Sequence, residues 1–327
     1  MKVLVTGGTG FIGANLTAAL IRHGYSVRVL RRANSSLVAL AHLPHEQVIG
    51  DILDLSAVTR AVDGCELVFH SAALVSYWRV PRDQLYTVNV EGTRIVMKAC
   101  LWAGVPRLVY TSSTSAIGIP TPGTIATEKT PFDRRSEVFA YADSKHRAEG
   151  EVLSAVEKGL QAVIVNPATV IGPGDHSMNI GRIMIALARH PIPAVPPGGM
   201  CVADIEAVVH GHIAAALRGR VGERYILGGE NLSYHEIAAT VAEMVRRRLP
   251  RWVIPSWSLD LLARAVDAFN IVSQRPPILS GEQIRFSGFD LFFDSSKAVR
   301  ELNYPLMPFR GAVEKAYRWY KENGYLD

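Results

Sequence analysis

Tyr141 and Lys145 stand four residues apart in the stretch FAYADSKHRAEG, Phe139 to Gly150. The stretch has a helical pattern, which places the two side chains one turn apart on one helix face. An ammonium beside a phenol favours the phenolate. The spacing therefore predicts a tyrosine pKa below its usual value of about 10, and a side chain that gives or takes a proton near neutral pH. Upstream, LVYTSSTSAIG (Leu108 to Gly118) ends a strand pattern on a cluster of hydroxyls that could hydrogen-bond a substrate oxygen. Either element alone is a weak signal, because Tyr and Lys meet at this spacing by chance and serines commonly fill turns.

A second chemistry-bearing pattern opens the chain. VLVTGGTGFIGANLTAAL places Gly7, Gly10 and Gly13, with Phe11 and Ile12 between them, after a strand and at the start of a helix. Glycines there permit a tight turn and let backbone N–H groups approach a pyrophosphate, to which the helix N-terminus adds partial positive charge. The competing reading is an ordinary glycine-rich strand-to-helix turn.

The next strand pattern, SVRVLRRANSS, ends on Arg31 and Arg32. Units of this kind that bind NAD carry an acid at that place, to accept hydrogen bonds from the adenosine ribose. A guanidinium instead suits a 2′-phosphate, so the arginines predict NADP(H) as the preferred cofactor, with NAD(H) still open. The bland alternative is a pair of solvated loop charges. In GDILD, Asp51 and Ile52 suit hydrogen bonding and packing against an adenine ring, or equally the turn after a third strand.

The elements that must position these residues alternate. Apolar runs KVLVTG, SVRVLR, EQVIGD, ELVFHSA, RLVYTSS and QAVIVNP are separated by helix-length patterns such as Phe11 to His23 and Asp83 to Ala103. Buried strands separated by helices imply parallel βαβ units and a doubly wound α/β sheet. After Pro167 the rhythm breaks into Gly- and Pro-rich stretches, and a smaller lobe is expected from about Ile171. The resulting division is a dinucleotide-binding domain over 1–170, with returns to its sheet from about 203–228, and a mixed α/β substrate lobe over most of 171–327.

Of the 327 residues, 48% are hydrophobic and 20% charged, enough for a substantial core. Three separated cysteines, Cys65, Cys100 and Cys201, show no metal or redox pairing, and no metal site is expected. The N-terminus breaks into glycines after a few apolar residues, so it does not read as a signal peptide, and a cytoplasmic location is expected. The net charge of +5 is dispersed. Its densest run, Arg246 to Arg251, ends a helical pattern where cations are electrostatically favoured and carries no nucleic-acid-reading motif, so no nucleic-acid partner is expected.

In this order, TGGTGFIG, GDILD, HSAA, NVEGT, VYTSS, YADSK and NPATVIGPG resemble the extended short-chain dehydrogenase/reductase family over nearly the whole chain, in its dihydroflavonol-reductase-like branch. The resemblance implies a Rossmann-type domain and a smaller C-terminal substrate lobe. It makes Tyr141 the catalytic acid/base and Lys145 its electrostatic partner, which also bonds the nicotinamide ribose. Ser113 becomes the hydroxyl partner, with Ser112 as the alternative. His70, Ala72 and Ala73 match the loop beneath the cofactor phosphates, Asn89 a supporting position, and Pro167, Ala168 and Thr169 the segment near the nicotinamide. A homodimer is implied as well, through helices of the Asp83–Ala103 and Phe139–Glu157 type.

Two reactions use such residues. A reductase passes hydride from NADPH to a carbonyl that Tyr141 protonates; an NAD-dependent nucleotide-sugar epimerase or dehydratase oxidises and re-reduces its substrate. A non-catalytic cofactor-binding regulator is a third reading, disfavoured by the full acid/base set. Tyr77 and Trp78 fall where the resemblance places substrate contacts. Trp252 and Trp257, beside the apolar pattern of RWVIPSWSLDLLARAVDAFNIV, read either as stacking surfaces for an aryl or alicyclic substrate or as core of the small lobe. Arg182, Arg224 and Arg275 are the lobe cations available to a sugar diphosphate, but no clamp pattern surrounds them, which favours the dihydroflavonol-reductase-like branch and its small-molecule carbonyl or alcohol substrates. No lipidation signal or long basic flank accompanies the Trp-bearing stretch, so its helix is expected to cap the pocket rather than meet a membrane.

Overall fold

The computed structural model describes residues 1–75, 80–176, 181–189, 193–273 and 280–326. Its centre is a seven-stranded sheet built from the apolar runs of the first half. These are β1 (Lys2–Thr6), β2 (Ser26–Arg31), β3 (Glu46–Ile49), β4 (Leu67–His70), β5 (Arg107–Thr111) and β6 (Ala162–Pro167), joined by the late strand β10 (Arg224–Leu227). The order is β3-β2-β1-β4-β5-β6-β10, and every pairing is parallel.

Alternation within each strand feeds two helical layers. Val3 and Val5 face α1 (Phe11–Arg22) and α8 (Ile205–Arg218), whereas Leu4 faces α2 (Leu55–Val62), α4 (Gly92–Trp102) and α6 (Ala140–Glu157). Both faces are covered, which is why the strands read as continuous apolar runs and not as alternating ones. The fold is a Rossmann-like doubly wound sheet. Between the short α3 (Arg82–Tyr86) and α4 lies a π-helical turn, Thr87–Glu91, so the expected helix is one continuous helical run with a widened middle.

The rest of the chain builds a smaller mixed unit. β7 (Thr169–Ile171), β9 (Gly199–Asp204), β11 (Glu230–Ser233) and β13 (Asp290–Leu291) form a second sheet around β9, and β8 (Ala194–Val195) pairs with β12 (Trp252–Val253). On β7 and β9 pack α7 (Gly181–Arg189), α9 (Tyr234–Met244) and α13 (Phe309–Glu322), joined through Ile171, Leu187, Val202, Val241 and Val313. The short α5 (Arg134–Glu137) precedes α6, and α12 (Ser296–Leu302) lies against α8. A capping box between Ser233 and Glu236 starts α9. That helix ends at Met244, before the basic run, and Arg246 adopts a left-handed φ of 54°. The arginines therefore occupy the loop after the helix.

Two helices form an arm. The inner face of α10 (Leu259–Val272) buries Leu259 and Ala263 against Ile284 of α11 (Gly281–Phe286). In turn Phe286 of α11 packs edge-on against Phe139, ring centroids 4.3 Å apart, at the start of α6. Among the described residues, no helix is long and apolar enough to cross a membrane.

Candidate active site

The glycine turn is dictated by backbone contact. Gly7 sits at a φ of 70°, and a Cβ on it would lie 2.6 Å from the Ala72 nitrogen. A Cβ on Gly13 would lie 2.2 Å from the Gly7 carbonyl oxygen, so helix and turn close directly on one another. Gly10 precedes α1 and supplies no capping side chain, leaving the first N–H groups of the helix, from Phe11 onward, without an intrahelical acceptor. This backbone cradle fits a dinucleotide pyrophosphate. Ala72 and Ala73 follow β4 beside the turn, and the Thr6 hydroxyl accepts from the Ala72 N–H at 3.3 Å.

Around the rim the expected cofactor residues differ in freedom. Arg31 is engaged: its Nε donates to Gln47 at 2.7 Å and its Nη1 to the Arg32 and Ala33 carbonyls. Arg32 is exposed and has no side-chain partner among the described residues. Asp51 accepts from the Leu53 N–H at 3.0 Å, which is turn chemistry, while Ile52 lies buried against Gly92. Pro167 ends β6 and Thr169 begins β7, so that segment lies where the main sheet hands over to the second.

At the start of α6, Tyr141 and Ser113 share a hydrogen bond. The Ser115 N–H donates to Ser113 Oγ at 3.1 Å, which leaves the serine proton for the phenol. Ser112, the alternative, points elsewhere and donates to the Glu149 carboxylate. Tyr77 and Trp78 lie outside the described residues, as does Arg275.

Lys145 is wholly buried. Its Nζ donates to Tyr110 Oη at 2.7 Å and to the Thr111 carbonyl at 2.8 Å. The sequence predicts a phenol acidified by this ammonium; the structure reverses the direction. Burial pushes Tyr141 up to about 12, against the pull of the Ser113 hydrogen bond. Burial also pushes Lys145 down to about 7, opposed by the Glu149 carboxylate one turn further along α6. Desolvation outweighs the local charge at both groups, and most completely at Lys145, which is 1% exposed.

Behind these residues lies a network without a local sequence signal. Glu149 accepts from Asn166 Nδ2 at 2.7 Å and pairs with Arg224 Nε at 3.1 Å, while the same Asn166 amide donates to the Ser113 carbonyl at 2.9 Å. Arg224, taken from the sequence as a lobe cation, is thus a β10 residue committed to a buried carboxylate; Arg182 lies in α7. Asn89, in the π-helical turn, bonds both main-chain groups of Leu74 and the Ser144 hydroxyl. His70 ends β4, beside the loop of Ala72 and Ala73. It is buried between Thr6, at 2.7 Å, and Thr93, at 3.1 Å, and burial holds its pKa at about 3. The core reading of Trp252 and Trp257 also fails, since their exposures are 70% and 81%.

Known proteins are similar in sequence and fold. The model of the NAD dependent epimerase/dehydratase family matches residues 3–194. The chain is 37% identical to the "Putative dihydroflavonol 4-reductase" of Synechocystis sp., covering 98% of this chain and 95% of that one. It is 34% identical to sterol demethylase protein B of Methylococcus capsulatus, covering all of both. The crystal structure of gox2253 superposes with a TM-score of 0.88 at 35% identity, over 100% of this chain and 99% of that one. Turn, tyrosine, lysine and sheet order together with these matches lead to one statement: the chain belongs to the NAD dependent epimerase/dehydratase family and is an enzyme of the extended short-chain dehydrogenase/reductase type.

Proposed function

We propose that this protein is an NADPH-dependent reductase of an apolar, ring-bearing ketone or aldehyde. The observation that carries the reading is Tyr141, held protonated to about pH 12 and hydrogen-bonded by Ser113. A phenol that keeps its proton at neutral pH is ready to donate to a carbonyl oxygen. The chemistry supplied by a nicotinamide dinucleotide bound over the Gly7 turn is delivery of a hydride to the carbonyl carbon. The chain does the remainder. Ser113 steadies the carbonyl oxygen and then the phenolate, Tyr141 gives its proton to that oxygen, and the buried Lys145 charge lowers the cost of the phenolate left behind. The product is an alcohol.

The free guanidinium of Arg32 supports selection of a 2′-phosphate, with Arg31 shaping the loop through Gln47. Substrate class follows from chemistry and likeness together. Arg224 is spent on Glu149 and so unavailable to a sugar diphosphate, and a relative matched over the whole chain is by name a sterol demethylase component. The smaller unit, with the arm of α10 and α11, would form the substrate side of the pocket in a homodimer. Nucleotide-sugar epimerisation is the second reading, favoured by the family model itself.

The test is chromatography of nucleotide released from the purified, denatured protein, followed by NADPH consumption against a panel of cyclic ketones. Exchangeable NADP(H) and ketone-dependent oxidation are expected. Stoichiometric NAD⁺ retained through purification, without turnover of any ketone, would select the epimerase.

A further inference from the structure

The arm carries apolar residues on two faces. The inner one is used against α11. On the outer one, Trp257, Leu261 and Phe269 follow at helical spacing, exposed to 81%, 68% and 68%, with the small Ala265 and Ala268 between them also exposed. Leu249, Trp252 and Val253 add exposures of 52%, 70% and 52% immediately before. With Leu262, at 39%, seven large apolar side chains within twenty-one residues thus face solvent, a concentration that marks a docking surface and not scattered surface hydrophobics.

The charge beside this surface identifies its occupant. Arg246, Arg248 and Arg251 lie exposed in the loop that leads into Trp252, and Arg264 projects from α10 itself. Nearby acids are partly neutralised within the arm: Asp260 pairs with Arg264 and Arg285, and Asp267 with Arg285. Aromatic and aliphatic side chains beside free arginines match an anionic bilayer, where rings and Leu enter the headgroup boundary and guanidinium groups meet lipid phosphates.

We propose that the outer face of α10, together with the segment 246–257, docks this protein on anionic phospholipid membranes. This reverses the sequence expectation that the helix only caps the pocket. The arm also ties the surface to the chemistry: α10 packs on α11, and Phe286 of α11 packs on Phe139, two residues before Tyr141. A membrane-seated arm therefore sets the mouth of the site against lipid, the phase in which an apolar ring-bearing substrate dissolves. That last step rests on the function proposed above; docking does not. A second copy of the chain is the competing occupant.

Flotation of the full chain with vesicles separates these readings. With vesicles of about one-third phosphatidylglycerol in phosphatidylcholine, the protein is expected to rise with lipid, and far less with phosphatidylcholine alone. The triple variant Trp257→Ser, Leu261→Ser, Phe269→Ser is expected to lose about tenfold or more of its partitioning, and Arg246→Glu with Arg248→Glu to lose the preference for anionic lipid. None of these positions touches the Tyr141 site, so retained NADPH binding certifies folding. Failure of wild type to float with anionic vesicles, or undiminished flotation of the triple variant, overturns the proposal. So does a wild-type dimer in light scattering that the triple variant converts to monomer without lipid. Flotation needs no substrate, so docking can succeed where the proposed reduction fails.

Discussion

The carboxylate of Glu149 and the guanidinium of Arg224 meet at 3.1 Å, the first 1% exposed and the second 24%. One belongs to the helix that carries Tyr141 and Lys145, the other to the last strand of the main sheet. Burial pushes the Glu149 carboxyl up, and Arg224, Ser112 and Asn166 act against this. The pair thereby sets the Glu149 carboxyl one turn from Lys145 and, through Asn166, holds the Ser113 backbone.

Glu149→Gln tests this positioning role. Lys145 carries its proton below about pH 7 and loses it above, so reductive turnover is expected to fall as pH rises through that value. Removing the carboxylate that raises the lysine pKa should move this limb to lower pH. A pH profile of kcat that does not shift would exclude the electrostatic role, even if stability fell. Arg224→Lys should preserve the limb better than Arg224→Met.

Tyr141→Phe should lower kcat by about 10²- to 10⁴-fold while cofactor affinity stays unchanged. Turnover with single-exponential progress and fluorescence titration of NADPH provide the two readings. Near-normal turnover in the variant would remove the tyrosine from the chemistry.

Cofactor choice should depend on the free arginine. Arg32→Ala is expected to raise the KM for NADPH by about 10-fold or more, the loss of a charge-assisted hydrogen bond, with little change for NADH. Arg31→Ala should affect both cofactors through the loop that Gln47 anchors. Equal effects of Arg32→Ala on NADPH and NADH would refute the phosphate role.

Gly7→Ala places a Cβ 2.6 Å from the Ala72 nitrogen at a φ of 70°. The change should cost about 1–3 kcal/mol in stability and abolish dinucleotide binding, since the loop after β4 must move. Urea midpoints and NADPH titration of the same preparation check both.

Acid should destabilise the fold through its buried imidazoles. His70 and His212 are held at about 3 and about 4 by burial, so both are neutral in the fold, while the unfolded chain takes up a proton at each near 6.5. Their contribution is complete above 6.5 and declines as pH falls toward those values, by about 1.4 kcal/mol per pH unit for each group. His212→Gln should flatten the pH dependence of the urea midpoint between about pH 7 and 5. An identical slope in the variant would assign the acid response elsewhere.

Much of the frame was legible in the sequence. Runs such as KVLVT and RLVYT are apolar at consecutive central positions because both sheet faces are covered, and that signal is local. The glycine turn and the Tyr141–Lys145 spacing were legible for the same reason. The Glu149–Arg224 pair was not, since its members lie seventy-five residues apart and neither position looks unusual alone. The direction of the tyrosine shift was missed because spacing reports a neighbouring charge but not burial. The core reading of Trp252 and Trp257 fails because an apolar composition does not state which face of an arm is covered.

The late position of β10 orders the birth of the site. A ribosome delivers Tyr141, Lys145, Ser113 and Glu149 well before it delivers Arg224, and the chain builds part of its second sheet in between. A nascent chain stopped short of β10 would hold every side chain proposed to react and still have to bury Glu149 without its cation, a penalty on the order of 3–5 kcal/mol. Competence therefore arrives with the returning strand, and incomplete chains are kept from settling into the finished catalytic shape.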